Sequence, residues 1–108
     1  MRRPSDRAQA WAWWSAALSH AAAPHPQHPQ CGLFRIRIAG LWRAASIDIE
    51  QPTEDGELIG DERLVCIVDG EERDADAMWP RLDPVSEHEF QRLQRAPRVR
   101  DLSREFMT

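Results

Sequence analysis

The sequence contains no lysine, and only two of its 108 residues are cysteines, Cys31 and Cys66. All 14 basic residues are therefore arginine, which we attribute to a GC-rich genome and not to a chemical need. Two cysteines are too few for the disulfide framework of a small secreted domain. We expect two free thiols, a reducing compartment and a cytoplasmic protein.

Long apolar runs are also missing. No stretch of about 18 apolar residues occurs, so we expect no membrane span. The apolar stretch 8–23 follows two arginines, as the core of a signal peptide does. Three tryptophans within four positions and the lack of a convincing cleavage site argue against a signal peptide.

Sequence motifs of catalysis are missing too: there is no glycine-rich phosphate loop, no Gly-x-Ser-x-Gly elbow and no Cys-x-x-Cys pair. Asp48 and Glu50 project from one predicted strand, and Arg35 and Arg37 project from its neighbour. This arrangement favours cross-strand ion pairs over a catalytic carboxylate pair. We therefore predict a protein that is not an enzyme and that needs no cofactor.

Metal-ligating residue types are present in the proline-punctuated segment 24–30. His25, His28 and Cys31 are three residues apart, and His20 lies five residues earlier. An extended proline segment directs such side chains along one edge and does not converge them tetrahedrally. We predict no native metal site.

Three strands form the centre of the predicted fold. Residues 33–38 and 43–50 alternate apolar and polar side chains, and residues 64–68 form an unbroken apolar run, which predicts an antiparallel meander covered on both faces of its third strand. The third strand's second face would be covered by the amino-terminal helix or by another molecule. A two-residue turn at Ala39-Gly40 puts these side chains on the core face: Phe34, Ile36, Ile38, Ala45, Ile47 and Ile49. A longer loop or a bulge would turn Arg43 outward.

Two helices flank the meander. Ser5 caps a predicted helix over 6–22, on which Trp11, Trp14, Leu18 and Ala21 form one stripe. This stripe either packs on the sheet or binds a partner, including a second copy, since tryptophan is the commonest binding anchor. Ser86 and Glu89 form a capping box that begins a second helix over 87–96.

Turn signals complete the architecture. Asp69-Gly70 predicts a short fourth strand over 71–73, and Asp74 caps a brief helix that Pro80 stops. The prediction is an α+β fold with a three- to four-stranded antiparallel sheet. We divide the chain into an amino-terminal helix and linker (1–30), an α+β domain (31–96) and an arginine-rich tail (97–108).

Charge is distributed in three blocks, although the net charge is only −4. Residues 1–49 carry six arginines against two acids, residues 50–89 carry 14 acids against three arginines, and residues 90–108 carry five arginines against two acids. An acidic block is either a solvated face or a patch for a basic partner. Gly56 and Gly60, both expected at positive φ, lie in the acidic connection 51–62.

A basic and aromatic combination lies on the outer face of the predicted hairpin. Arg35, Arg37 and Trp42 resemble the groups that hold single-stranded nucleic acid, and Arg37 lies within cation–π reach of Trp42. Neighbouring acids and a sequence pI of about 5.5 disfavour direct nucleic-acid binding.

Residues 40–93 resemble small bacteriophage and prophage proteins of unassigned function. Short motifs carry the resemblance: Arg-Ala-Ala-Ser-Ile at 43–47, Asp-Gly-Glu-Leu at 55–58, and Asp-Glu at 61–62 followed by Leu64. Further along the chain they are Val-Asp-Gly at 68–70, Trp79, and Pro-Val-Ser at 84–86 leading to Phe90. It covers about half of the chain, and the tryptophan-rich start departs from it. It implies a phage-borne accessory protein, and by analogy one that blocks a host defence enzyme as anti-CRISPR proteins do.

From these features we expect a phage-related inhibitor whose acidic surface binds a host protein or nucleoprotein complex. Alternatives are a virion or replication-associated structural protein that self-assembles through the tryptophan helix, and a single-strand nucleic-acid binder. The acidic clusters are expected about 20 Å apart, at opposite ends of the third strand. The predicted partner-binding residues are Glu54, Asp55, Glu57, Asp61, Glu62, Glu71, Glu72, Asp74, Asp76, Trp11 and Trp14.

Overall fold

A computed structural model describes residues 6–19 and 25–95 of the chain. These residues form the predicted α+β fold, but with a five-stranded antiparallel sheet instead of three or four strands. Its strands are β1 Gly32–Ile38, β2 Leu41–Glu50, β5 Arg63–Val68, β6 Glu71–Arg73 and β7 Asp83–Pro84, and a separate hairpin consists of β3 Thr53–Glu54 and β4 Glu57–Leu58. In the five-stranded sheet the strands lie in the order β6-β5-β2-β1-β7.

Helices are short in the described residues. They are α1 Arg7–Ala10, α2 Ala12–Leu18, α3 Ala75–Met78, which continues into a 3-10 turn Trp79–Arg81, and α4 Glu87–Arg95. Among them, none combines the length and the apolar character that crossing a bilayer requires.

The β1–β2 hairpin has the predicted register. Ile38 pairs with Leu41, Ile36 with Arg43 and Phe34 with Ala45. Ala39 and Gly40 both have positive φ, 51° and 79°, as the tight two-residue turn requires. The turn contains no extra residue, so the alternative in which Arg43 points outward is wrong, and Arg43 is buried.

Two other tight turns, both Asp-Gly, have the same backbone geometry as the Ala39-Gly40 turn. Asp69 and Gly70 have φ of 52° and 86°, and the predicted strand over 71–73 follows them. Asp55 and Gly56 have φ of 51° and 81°, and they close the β3–β4 hairpin inside the acidic connection 51–62. Of the two glycines expected at positive φ, only Gly56 has it, so the expectation for Gly60 is wrong.

The core lies on one face of the sheet. Phe34, Ile36 and Ile47 are fully buried there, together with Cys66 and Val68 of β5. Trp79 and Leu82, from the 3-10 turn and the residue after it, cover this face and are almost fully buried.

Helix α4 covers the other face. Its Phe90 and Leu93 line a small cavity of about 160 Å³ with Ala44 and Ile67. The prediction that the third strand is covered on both sides is therefore confirmed, since Ile67 is half-buried. The expected cover was the amino-terminal helix or another molecule, and α4 takes that place instead.

The amino-terminal helix departs from its prediction. It is interrupted at Trp11, whose φ and ψ of −96° and 4° are not helical, so α1 and α2 replace one continuous helix. Asp6 caps α1 by accepting a hydrogen bond from the Ala8 amide at 2.9 Å. The predicted cap Ser5, the stretch 20–22 and Ala21 lie outside the described residues.

The carboxyl-terminal helix begins as predicted. The Ser86 hydroxyl accepts a hydrogen bond from the Glu89 amide at 3.2 Å, which is one half of the capping box. The Glu89 carboxylate turns to Arg92 and accepts a hydrogen bond from its Nε at 2.8 Å. Residues 96–108, including the tail, lie outside the described residues.

Segment 25–30 packs on the core. The His25 ring stacks on Trp79 at 4.1 Å between centroids, and the Trp79 indole donates a hydrogen bond to the Pro26 carbonyl at 2.7 Å. Trp13 of α2 stacks on Phe34 at 6.4 Å. The division of the chain at residue 30 stays a prediction, while the described residues on either side of it are in direct contact.

Candidate functional site

The predicted acidic residues precede β5 along the chain and return beside it on β6 and at α3. Strand β6 runs antiparallel to β5, with Glu71 opposite Val68 and Arg73 opposite Cys66. The chain therefore returns toward Arg63 after the Asp69-Gly70 turn, and Asp74 and Asp76 share an open groove with Arg63.

Arg63 joins Glu50 of β2 to Glu72 of β6. Its Nη2 lies 2.9 Å from Glu50 and 3.5 Å from Glu72. The expected separation of about 20 Å between the two clusters stays a prediction. Glu71 lies opposite Val68 at the end of β5, while the side chain of Glu72 reaches Arg63 at its start. We call the resulting surface the acidic edge, and its members are Glu54, Asp55, Glu57, Asp61, Glu62, Glu71, Glu72, Asp74 and Asp76.

The β3–β4 hairpin projects beyond the last pair of β2 and β5. Glu54 lies directly opposite Glu57 in this hairpin, and Asp55 occupies its turn. The hairpin is closed at its base by a hydrogen bond from the Ile59 amide to the Pro52 carbonyl at 2.9 Å. Like charges directly opposite each other on neighbouring strands destabilise the pairing. The hairpin tip thus concentrates negative charge at a cost in stability.

Several acids of the edge have identified polar partners. Glu71 lies 2.5 Å from Arg73, and Glu62 accepts a hydrogen bond from the Gln51 amide at 3.5 Å. Asp74 caps α3 by accepting from the Asp76 amide at 3.2 Å. Between residues 54 and 76 the sequence has only two arginines, Arg63 and Arg73, so this part of the chain carries a strong negative charge.

An open groove of about 510 Å³ is lined by residues of β5, β6 and α3, and Arg63 and Arg73 are among them. Its walls carry Glu72, Asp74 and Asp76, and Leu64 and Cys66 contribute apolar surface. Burial raises the pKa of the Cys66 thiol to about 11, and the negative charge of Asp74 adds to this. The thiol therefore stays protonated at neutral pH and is a poor nucleophile.

The predicted anchors Trp11 and Trp14 lie apart from the acidic edge. The Trp11 indole donates a hydrogen bond to Asp48 at 3.2 Å, and the Trp14 indole donates to the carbonyls of Leu33 and Val85 at 2.9 and 3.0 Å. Both side chains are half-buried and form an edge-to-face pair at 5.5 Å. They attach the amino-terminal segment to the sheet, and their role in partner binding stays a prediction.

A second charged surface lies at the other end of β2. The Arg35 guanidinium stands 4.1 Å from the centroid of the Trp42 ring, and the Arg37 guanidinium stands 5.7 Å from it. The predicted Arg37–Trp42 pair is present, but Arg35 approaches the ring more closely. We call these three residues the Trp42 platform. The period-two alternation placed them on one face, yet they were not among the predicted binding residues.

The histidine and cysteine side chains of segment 25–31 point to different surroundings. His25 stacks on Trp79, whereas Cys31 is buried. Within 6–19 and 25–95, no three histidine, cysteine, aspartate or glutamate side chains are grouped so that they could hold a metal ion. Cys31 and Cys66 are both free thiols, as predicted.

Comparison with known proteins adds no identity: the chain matches no family model, no curated protein and no solved structure. The resemblance of residues 40–93 to phage proteins therefore stays a prediction.

Proposed function

We propose that the protein is a non-enzymatic binding protein whose acidic edge occupies a cationic nucleic-acid groove of a partner in a bacterial cell. A phage-encoded inhibitor of a host defence complex would act in this way. The observation that carries the proposal is the direct opposition of Glu54 and Glu57 at the projecting hairpin. Since like charges in this position cost stability, binding to a cationic partner supplies a reason for them.

The shape of the acidic edge supports the same proposal. Grooves that hold nucleic acid are lined by positively charged side chains that follow the phosphate backbone. Carboxylates on β6, on α3 and on the hairpin offer several negative charges to such a groove. Each carboxylate accepts charge-assisted hydrogen bonds from arginine, as a phosphate does.

Apolar side chains on the acidic edge add to its suitability for binding. Ile59, at the base of the hairpin, is 64% exposed, and Leu64 lies beside the groove. A protein interface needs an apolar centre within a polar rim, because charged pairs at the rim contribute mainly to the rate of encounter. Ile59 and Leu64 supply apolar surface among the carboxylates.

A self-assembling structural protein is the alternative function. The sequence assigned its contacts to Trp11 and Trp14, whose indole groups are hydrogen-bonded within their own chain. A contact between copies through these rings would have to use their remaining exposed surface. Binding through the acidic edge does not depend on these hydrogen-bonded rings, so the inhibitor proposal is better supported.

The proposal is tested first by affinity capture. The wild-type protein and a Glu54→Lys, Glu57→Lys variant are used as baits in nuclease-treated lysates of bacteria that carry defence complexes. Asp55 is left unchanged because its positive φ favours a small polar residue. An Asp83→Lys, Glu87→Lys variant has the same change in charge and serves as the control, since both residues are exposed and lie outside the acidic edge.

Binding kinetics with the captured and purified complex then decide the mechanism. We expect the hairpin variant to associate about tenfold more slowly than wild type at low salt, because complementary charges accelerate encounter. The difference should shrink at high salt, where exposed charges are screened. The protein should also displace nucleic acid from the complex. Equal affinities of wild type and hairpin variant at both salt concentrations would remove the proposal.

A further inference from the structure

The two ends of β2 carry surfaces that complement each other. The Trp42 platform lies at the start of the strand, and the acidic β3–β4 hairpin lies beyond its end. Every large apolar side chain that is exposed within residues 6–19 and 25–95 lies at one of these ends. Leu41 and Trp42 are at the basic end, and Ile59 and Leu64 are at the acidic end. Opposite charges thus accompany exposed apolar area at both ends.

The Trp42 platform is built to receive carboxylates. The Arg35 side chain is 41% exposed and lies 3.7 Å from Asp83, a solvent-exposed pair that contributes little. Arg81 donates a hydrogen bond to the Arg37 carbonyl at 2.8 Å, which brings a third guanidinium to this end of the sheet. Arginine binds carboxylates through two parallel hydrogen bonds, and the exposed Trp42 ring offers an apolar contact beside them.

The two surfaces cannot meet within one chain. Strand β2 has ten residues, so at about 3.4 Å per residue its ends are about 30 Å apart. Strand β2 separates them, and it pairs with β1 through residues 41–47 and with β5 through residues 45–50. Their complementarity is therefore available only between two copies.

We infer that copies of this protein associate head to tail, with the acidic hairpin of one copy bound on the Trp42 platform of the next. Glu54, Asp55 and Glu57 of one copy face Arg35 and Arg37 of the other. Ile59 packs near Leu41 and Trp42. The inference does not depend on the partner proposed above, although both use the hairpin.

Such a contact joins two different surfaces and therefore leaves one of each available on every dimer. Repetition gives an open chain of copies unless the rotation closes a ring. The contact is exposed and largely ionic, so screening weakens it: the Debye length falls from about 30 Å at 0.01 M salt to about 8 Å at 0.15 M. Self-association would also cover the hairpin until a more strongly cationic partner replaces the platform.

Sedimentation velocity of the full chain tests the inference. At low salt the average mass should rise with protein concentration, and at high salt it should return to that of the monomer. Two variants reverse the charge of one surface each: Arg35→Glu, Arg37→Glu at the platform and Glu54→Lys, Glu57→Lys at the hairpin. Each variant alone should need at least about tenfold more protein to assemble.

Mixing the two variants provides the decisive measurement. Each hairpin then finds a platform of opposite charge only on the other variant, so an equimolar mixture should assemble in alternation. Variants that had lost their fold would not recover on mixing, so restored assembly separates a lost contact from lost structure. A mixture that stays monomeric when the wild type assembles would overturn the inference.

A control separates this inference from the proposed function. Glu71→Lys, Glu72→Lys changes the charge of β6 as much as the hairpin variant changes the hairpin, and both side chains are exposed. This variant should keep self-association and lose affinity for a cationic partner. Head-to-tail assembly would be refuted if the wild-type protein stayed monomeric at low salt but bound a labelled single-stranded oligonucleotide that a Trp42→Ala variant does not bind. The platform would then be a nucleic-acid site.

Discussion

Arg43 donates a hydrogen bond from Nε to the carboxylate of Asp69 at 2.9 Å, and the two form an ion pair at the edge of the core. Arg43 is only 3% exposed. Asp69 lies in the left-handed turn after β5, and its amide donates to the Ala44 carbonyl at 3.0 Å. One aspartate therefore closes a turn, joins β5 to β2 and neutralises a buried arginine.

Loss of this carboxylate should be costly. Asp69→Ala takes the counter-charge from a buried guanidinium, for which we expect about 3–5 kcal/mol of lost stability. Asp69→Asn should cost less, because its amide oxygen still accepts a hydrogen bond and asparagine tolerates positive φ. Urea unfolding at neutral pH measures both. In a double-mutant cycle with Arg43→Met, the paired change should cost less than the two single changes together.

The sheet register gives a second prediction. Ile47 is fully buried between Gly32 and Cys66 of the neighbouring strands. Ile47→Ala should therefore lower the free energy of unfolding by about 2–5 kcal/mol, as large-to-small changes in a core do. The exposed Ile59 is the matched control, and Ile59→Ala should stay within about 0.5 kcal/mol of wild type. Similar small effects of both changes in urea melts would contradict the register.

Close packing of the amino-terminal segment gives a third prediction. A Cβ added at Gly32 would lie 2.7 to 2.8 Å from atoms of Trp14, closer than carbon atoms can approach. Gly32→Ala should cost about 1–3 kcal/mol through this overpacking. The same change in a Trp14→Ala background should cost clearly less, because the obstructing ring is gone. Thermal melts of the four proteins measure the difference, and equal costs in both backgrounds would show that α2 does not contact β1.

The two buried thiols give a prediction for alkaline pH. Burial raises the pKa of Cys31 and of Cys66 from 9.0 to about 11, and the charges of Asp48 and Asp74 add to the respective shifts. The unfolded thiols ionise first, so the stabilisation is complete below pH 9 and is lost as the pH rises from 9 to 11.

The amino-acid composition leaves few other groups that titrate in this pH range. The chain contains neither lysine nor tyrosine, so no other side chain of ordinary pKa titrates in that window. Urea melts should show stability falling between pH 9 and 11 in the wild type. A Cys31→Ala, Cys66→Ala variant should be less stable but should lack that alkaline fall. A wild-type curve that stays flat would mean that the thiols are not buried.

Local sequence determined β1, β2, β5 and β6, the turns that join β1 to β2 and β5 to β6, and the register of the β1–β2 hairpin. Period-two alternation fixes which side chains share a face, and Asp-Gly or Ala-Gly between two strands leaves one register in which apolar residues meet. The same rules placed Arg35, Arg37 and Trp42 together. Caps at Asp74 and Ser86 could be predicted for the same reason, since each bonds an amide only two or three residues away.

Tertiary structure decided which helix covers each face of the sheet and which distant residues come into contact. Sequence periodicity does not say which element covers a face, so α4 could not be chosen over the amino-terminal helix for Ile67. The break at Trp11 arises where its indole reaches Asp48, 37 residues away. Glu72 lies beside Arg63 because β6 turns back along β5. Contacts between distant residues set these features, because chain reversal and packing bring together groups that no local pattern relates.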